Sequence, residues 1–143
     1  VRAVLLSDLL AIHLKTGIGR LSAYCGAVSA GCAAGGGIAY LHGGGFREVA
    51  HTLVNSLAIV SGMICDGAKE GCAFKVALSA GLAVEAACLA MEGGGIHAQD
   101  GILDDSFDRL IAHLGELVCV GMGETNDTIV HIMKDEKVRR SDC

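Results

Sequence analysis

The stretch RLSAYCGAVSAGCAAGGGIAYL, residues 20–41, constrains the fold more than any other part of this chain. It is rich in Ala and Gly and has few β-branched residues, which favours a buried helix over a strand. Each Gly inside a helix costs roughly 0.5–1 kcal/mol relative to Ala. Close packing must therefore offset this cost, or the helix breaks near residues 35–37.

The rest of the sequence requires the same kind of interior. Hydrophobic residues make up 52% of the 143 residues but aromatic ones only 3%, and there are 21 Gly with no Pro or Trp. The core must therefore be assembled from aliphatic residues, Ala and Gly, which allows backbones to approach closely. A chain of this length suits one domain, and we predict a single domain over residues 1–143.

Helical spacing of apolar residues predicts an all-α fold of about six helices, with buried Gly/Ala-rich helices at its centre. The predicted helices cover residues 1–16, 20–41, 46–60, 73–91 and 106–121, and a shorter one begins at Thr125. Asp104 or Asp105 is expected to cap the fifth helix, because a carboxylate accepts the free amides of a first turn. Residues 134–143 are expected to form a polar tail.

Charge and hydropathy argue against two classes of partner. The net charge is -5 and the one basic cluster lies at 137–140, so the sequence predicts no basic surface that would bind nucleic acid. The longest apolar run, residues 73–91, carries Lys75 and Glu85, so we interpret it as a buried helix and not a membrane span. The odd number of cysteines and the lack of a signal-peptide pattern predict reduced thiols in the cytoplasm.

The segment SGMICDGAKEGC, residues 61–72, places Cys65 and Cys72 around a short loop without helical or strand periodicity. Cys25 lies early in the second predicted helix. If that helix packs beside the loop, three thiolates meet at one point, and thiolates are the ligands that zinc and iron–sulfur clusters share. Spacing alone leaves a metal site and buried structural thiols equally open, because no CxxC pattern is present.

Three further cysteines lie in Ala- and Val-rich helical sequence. Free cysteine is among the most buried residue types and behaves as a small hydrophobe. We therefore expect Cys32, Cys88 and Cys119 to be buried packing residues.

Residues 20–41 and 60–91 resemble the C-terminal part of the L-cysteine desulfidase family, which is related to the iron–sulfur L-serine dehydratase alpha chain. The likeness runs from about residue 10 to 133, and GMICDGAKEGC is its most specific element. In that family three cysteines hold a [4Fe-4S] cluster, and the matching positions are Cys25, Cys65 and Cys72. The serine dehydratase form has a longer insertion between its last two ligands, so the desulfidases are the closer match.

The resemblance implies a lyase that eliminates sulfide from L-cysteine, or water from L-serine, to give pyruvate and ammonia. Three thiolates on four irons leave one iron open, which can act as a Lewis acid on the leaving group. Such a cluster needs no pyridoxal phosphate, and Lys69 alone does not establish a Schiff-base site. By the same resemblance, Cys143 could reach the open iron; the alternative is a loose chain end.

Four loop residues are weaker site candidates. Asp66 is expected to orient a ligand and Lys69 to bind the substrate carboxylate. Ser61 and Gly62 are expected to present polar groups at the pocket wall. The competing interpretation for each is loop capping and solvation.

The expected partners are a small amino-acid substrate, an N-terminal portion of the same enzyme or a separate subunit, and further copies of the chain. The first residue is Val and not Met, which we interpret as a sign that this chain is the C-terminal part of a longer enzyme. That missing portion is expected to take part in proton transfer. A function of another class stays open: a non-catalytic helical assembly module, either zinc-binding or metal-free.

Overall fold

The computed structural model describes residues 1–96 and 100–141, with side chains described up to residue 135. Over these residues the predicted all-α class is confirmed. The helices are α1 (Arg2–Ile18), α2 (Gly26–Leu41), α3 (Phe46–Val60), α4 (Cys72–Met91), α5 (Phe107–Glu116) and α6 (Gly123–Ser141). A π-helical segment, Leu117–Gly121, joins α5 to α6.

Helix α2 lies at the centre of the fold and packs against α1, α3 and α4. Its glycines mark close helix crossings. A Cβ atom on Gly31 would lie 2.2 Å from the Cβ of Ser79 on α4, and one on Gly37 would lie 2.8 Å from the carbonyl oxygen of Ala3 on α1. The helix continues through residues 35–37 because these glycines let neighbouring helices make contact with its backbone.

A second close crossing joins α1 to α5. A Cβ atom on Gly115 would lie 2.7 Å from the carbonyl oxygen of Gly17. Leu14 of α1 and Leu110 and Leu114 of α5 are buried in the same hydrophobic core. Helix α5 is thereby held against the side of α1, away from α4.

Residues 20–25, predicted as the start of the second helix, are not helical. Tyr24 forms an isolated antiparallel bridge with Ile64, which lies in the loop between α3 and α4, and α2 begins only at Gly26. The amide and carbonyl groups of this segment pair with a distant part of the chain, and this pairing overrides the local helical preference. The predicted helix start is therefore wrong.

The ends of the later helices also differ from the prediction. Ser106 caps α5, and its hydroxyl accepts a hydrogen bond from the Arg109 N–H at 3.5 Å. Asp104 instead accepts from the Ser106 N–H at 2.7 Å and pairs with the Arg109 guanidinium. Helix α6 begins at Gly123 and runs to Ser141, so it includes most of the segment predicted as a polar tail.

Helix α4 buries only one of its faces, although we expected a buried helix. Its inward side includes Leu82, Ala83 and Ala86, whereas Phe74 on the other side is 81% exposed. Only 28% of its most apolar stretch is buried, because no described element covers the outer side. Within the described residues α4 alone has the length and apolar composition to cross a bilayer, a weak test that core helices of soluble proteins also pass.

Candidate functional site

A short backbone ladder joins the segment before α2 to the cysteine loop, residues 61–71. On either side of the bridge between Tyr24 and Ile64, the Cys25 N–H donates to the Met63 carbonyl at 3.0 Å and the Cys65 N–H donates to the carbonyl of Ala23. In an antiparallel pair, Cys25 and Cys65 are diagonal neighbours on one face, a relation that separates residues by roughly 7–8 Å. The fold thus brings these two cysteines onto adjacent segments.

Cys72 is the first residue of α4, directly after the turn that leaves the ladder. Its thiol donates to the carbonyl oxygen of Gly67 at 3.8 Å. Gly67 has φ of +91°, a left-handed conformation that favours glycine. A Cβ atom on Gly67 would lie 2.8 Å from the Cε of Met133, so α6 covers the outer side of this turn.

The three predicted ligands are free thiols at different depths. Cys25 is buried, whereas Cys65 and Cys72 are half-buried. Cys25 is the N-cap of α2 and Cys72 opens α4, so both lie at helix N-termini. The positive end of a helix dipole favours a bound anionic group.

The side chains do not form a complete metal site in this arrangement. Across residues 1–96 and 100–135, no three His, Cys, Asp or Glu side chains lie close enough together to hold a metal ion. The backbone joins the segments of Cys25 and Cys65 and puts Cys72 at the next turn, but the three sulfur atoms do not converge. The three-cysteine site therefore stays a prediction.

Two buried hydroxyl groups on the same segment have no hydrogen-bond partner: those of Ser22 and Tyr24. Buried polar groups are normally paired, because an unpaired one costs roughly 1–3 kcal/mol. Each hydroxyl can donate to a sulfur acceptor. The free thiols and the two helix N-termini fit an anionic, sulfur-rich group such as a [4Fe-4S] cluster in their chemistry.

Asp66 is held between two lysines at the edge of the loop. Its carboxylate pairs with the Lys69 ammonium and lies 3.3 Å from the Nζ of Lys75. The hydrogen bond from Lys69, followed by that from Lys75, lowers the pKa of the Asp66 carboxyl to about 2. At neutral pH Asp66 is therefore an anion that organises the loop and cannot donate a proton.

Lys75 is a site residue that the sequence pattern does not reveal. Its Nζ donates to the carbonyl oxygen of Ile64 at 2.8 Å, so it ties the ladder to the first turn of α4. In the sequence it interrupts an apolar run, and this signal argues only against a membrane span. Its contact with the loop depends on the three-dimensional path of the chain.

The remaining candidates have simpler surroundings. Ser61 follows α3 as its C-cap, and Gly62 is exposed, with open space where a Cβ atom would lie. Both belong to the turn that leads from α3 into the ladder, and their substrate contacts stay a prediction. Cys143 lies outside the described residues.

Of the three cysteines predicted to be buried, only Cys32 is buried. Cys88 is exposed on α4, and Cys119 is exposed on the π-helical segment, where its thiol donates to the Gly17 carbonyl at 3.6 Å. The prediction is wrong for these two because Ala- and Val-rich sequence does not distinguish the covered face of a helix from the uncovered one.

Cys32 should make the protein sensitive to alkaline pH. Burial raises the pKa of its thiol from 9.0 to about 11, although a hydrogen bond with Ser56 opposes the shift. Its neutral thiol thus stabilises the fold fully below the unfolded pKa, and this contribution is lost as the pH rises through the folded pKa. We expect Cys32→Ala to show a smaller fall in melting temperature between pH 9 and pH 11 than the parent.

Thermal unfolding at both pH values measures this difference, and Cys88→Ala is the matched control because Cys88 is exposed. The melting temperature of the control should fall between pH 9 and pH 11 by as much as that of the parent. Identical pH profiles for Cys32→Ala and the parent would contradict the assignment of Cys32 as a buried neutral thiol.

The fold and the loop define a helical domain with a candidate thiol-ligand site where two helices begin. The sequence profile of the serine dehydratase alpha chain family matches residues 1–131. The chain therefore belongs to the serine dehydratase alpha chain family.

Several similar proteins carry the name UPF0597 protein. The one from Desulfitobacterium hafniense is 50% identical over 135 residues, which is 94% of this chain and 31% of that protein. The one from Treponema denticola is 46% identical over 133 residues, 93% of this chain and 31% of the relative. The one from Lachnoclostridium phytofermentans is 47% identical over 133 residues, which is 93% of this chain and 32% of that protein. No solved structure matches the chain.

This chain spans about a third of the length of the curated relatives that it matches. The family match confirms the predicted relationship at the level of the serine dehydratase alpha chain. The narrower resemblance to the L-cysteine desulfidases stays a prediction, because the names of the relatives state no reaction.

Proposed function

We propose that this chain is the cluster-bearing part of a lyase that eliminates sulfide from L-cysteine, or water from L-serine, to give pyruvate and ammonia. The observation that carries the proposal is the ladder joining Cys25 to the loop of Cys65 and Cys72 in a member of the serine dehydratase alpha chain family. The cytoplasm, where thiols stay reduced, is the proposed location.

Cys25, Cys65 and Cys72 would hold the cluster through their thiolates. A [4Fe-4S] cluster with three protein ligands supplies an open iron that acts as a Lewis acid toward the substrate's leaving group. The segments of two of these proposed ligands are joined by the main chain, because the Cys25 and Cys65 amides both donate across the ladder. Cluster binding would still require the three sulfur atoms to converge, since no three-ligand group forms among the described residues.

The charged residues of the loop suit a small zwitterionic substrate. Lys69 has a half-exposed side chain, and a substrate carboxylate can share its ammonium with Asp66. Asp66 stays anionic at neutral pH and can accept a hydrogen bond from the substrate ammonium. Ser61 and Gly62 lie where the loop leaves α3 and would form the adjoining wall.

Asp66 is a poor general base at neutral pH. A carboxylate with a pKa of about 2 binds a proton weakly, and two lysines hold it in its charged form. Removal of the substrate α-proton therefore calls for a base outside the loop. The part of the relatives that this chain does not span is the proposed source of that base.

A full-length chimera tests the function: the Desulfitobacterium hafniense relative with this chain in place of the matched segment. After anaerobic purification, we expect it to form pyruvate from L-cysteine or L-serine. Cys65→Ser should abolish this activity because it removes a cluster ligand, whereas the matched control Cys119→Ser should keep it. A cluster-loaded chimera that forms pyruvate from neither amino acid would contradict the proposal.

A second candidate function is a non-catalytic helical assembly module that binds zinc or no metal. The observation that favours it is that the chain spans only about a third of the relatives that it matches, so it holds only part of such an enzyme. Stoichiometric zinc without iron in the anaerobically purified chain would support this alternative over the lyase.

A further inference from the structure

An apolar groove runs along α2 on the side that α1 and α4 leave open. Between α1 and α2 its lining includes Val4, Ile38 and Leu41. Between α2 and α4 its lining includes Ile38, Val84 and Met91. Because Ile38 belongs to both parts, they form one continuous surface, which we call the α2 groove.

The α2 groove exposes apolar side chains to an unusual extent. Leu41 is 73% exposed, Val4 64% and Val84 49%. Single exposed apolar residues are ordinary, but contiguous apolar surfaces mark interaction sites. The polar lining residues His42 and Glu92 lie where α2 and α4 end, so they form a rim at one end of the groove.

The shape of the α2 groove suits a helix. The lining includes the small, half-buried residue Ala34, which leaves room for an occupant, whereas Gly37 already packs against the Ala3 carbonyl of α1. The groove follows the C-terminal half of α2, residues 34–42, which corresponds to a length of roughly 13 Å, or about two and a half helical turns. An occupant of that length with one apolar face would cover the groove.

We propose that the α2 groove is the docking site for an apolar helix from the part of the serine dehydratase-type polypeptide that lies outside these 143 residues. The chain accounts for only 31% of the Desulfitobacterium hafniense relative, so most of that protein must pack elsewhere or against this domain. This inference rests on the family membership and is independent of the cluster.

The charge of the groove argues against a lipid surface as its occupant. Its lining contains no Lys or Arg that would bind anionic headgroups. Glu85 also interrupts the outer side of α4, which would be costly to bury in a bilayer.

Cys88 provides a direct probe, because it is exposed and lines the groove. The test compares maleimide labelling of Cys88 in the isolated chain and in the full-length chimera, with labelled peptides identified by mass spectrometry. We expect labelling of Cys88 to be at least about tenfold slower in the chimera, because the docked helix excludes the reagent. Cys119, exposed on another part of the fold, serves as the internal control and should label at the same rate in both.

Val84→Lys in the chimera should restore fast labelling of Cys88, because a charge in the groove opposes docking. Leu21→Lys is the matched control, since Leu21 is 97% exposed and outside the groove, and it should leave Cys88 protected. Circular dichroism of both variants in the isolated chain checks that they fold.

Equal labelling rates for Cys88 in the chain and the chimera would overturn the proposal, as would equal protection of Cys88 and Cys119. Concentration-dependent protection in the isolated chain would assign the groove to a second copy instead. Protection by phosphatidylcholine vesicles would assign it to a membrane. None of these outcomes depends on the cluster or on pyruvate formation.

Discussion

Gly31→Ala is expected to destabilise the protein strongly, whereas the matched substitution Gly81→Ala on the neighbouring helix is expected to stabilise it. The added Cβ at Gly31 would lie 2.2 Å from the Cβ of Ser79 and 3.1 Å from its Cα. Because part of this obstacle is backbone, α2 and α4 must move apart. Such overpacking costs about 1–3 kcal/mol and occasionally more.

Gly81 has no heavy atom within 4 Å of the position of an added Cβ. Alanine there contributes only its better helix propensity, which is worth roughly 0.5–1 kcal/mol. Thermal and urea unfolding measure both variants, with an expected shift in melting temperature of about 2–4 °C for each kcal/mol. A Gly31→Ala protein as stable as the parent would show that α2 and α4 do not cross closely.

Cys65→Ser and Cys72→Ser are each expected to lose most of the iron that the parent binds after anaerobic reconstitution with iron and sulfide. The thiolate is the ligand, and a serine hydroxyl stays protonated at neutral pH and does not replace it. Iron analysis, acid-labile sulfide analysis and the broad visible absorption of the cluster measure the loss.

Cys88→Ser and Cys119→Ser are the matched controls for these variants, because both cysteines are exposed and outside the predicted ligand set. They should bind as much iron as the parent. Full retention of the cluster by Cys65→Ser and Cys72→Ser would contradict the ligand assignment, provided that circular dichroism shows all variants to be folded.

Local sequence patterns predict much of the helical architecture. The third predicted helix, residues 46–60, coincides with α3, and the fourth, residues 73–91, begins one residue after α4 does. Apolar spacing identifies both helices, and the glycine turns at 42–45 and 93–95 end the elements before them. The central position of α2 follows from its small residues, which only close packing can stabilise.

Contacts between distant residues account for the differences. The segment before α2 has helical composition, but its pairing with residues 63–65 is invisible to a local pattern. The exposed side of α4 has the same composition as its buried side, so the sequence does not show that Cys88 is uncovered. Helix α6 exceeds its predicted length because its sequence is polar, with no apolar stripe to mark its extent.

Part of the candidate site can likewise be predicted from the sequence, and the rest depends on contacts between distant residues. The loop at residues 61–72 is visible in the sequence, and Cys25 is its partner only if the second helix packs beside it. Family resemblance, and not spacing, favours a metal site there over buried structural thiols. The ladder supplies a structural reason for pairing Cys25 with this loop. The role of Lys75 could not be predicted, because its partner, the Ile64 carbonyl, carries no signal in the side-chain sequence.

The most direct test of the central claim is the iron and acid-labile sulfide content of the anaerobically reconstituted chain, measured beside Cys25→Ser. The account predicts about four irons and four sulfides per chain in the parent and little of either in the variant. Zinc without iron in the parent, or an unchanged cluster in Cys25→Ser, would contradict it.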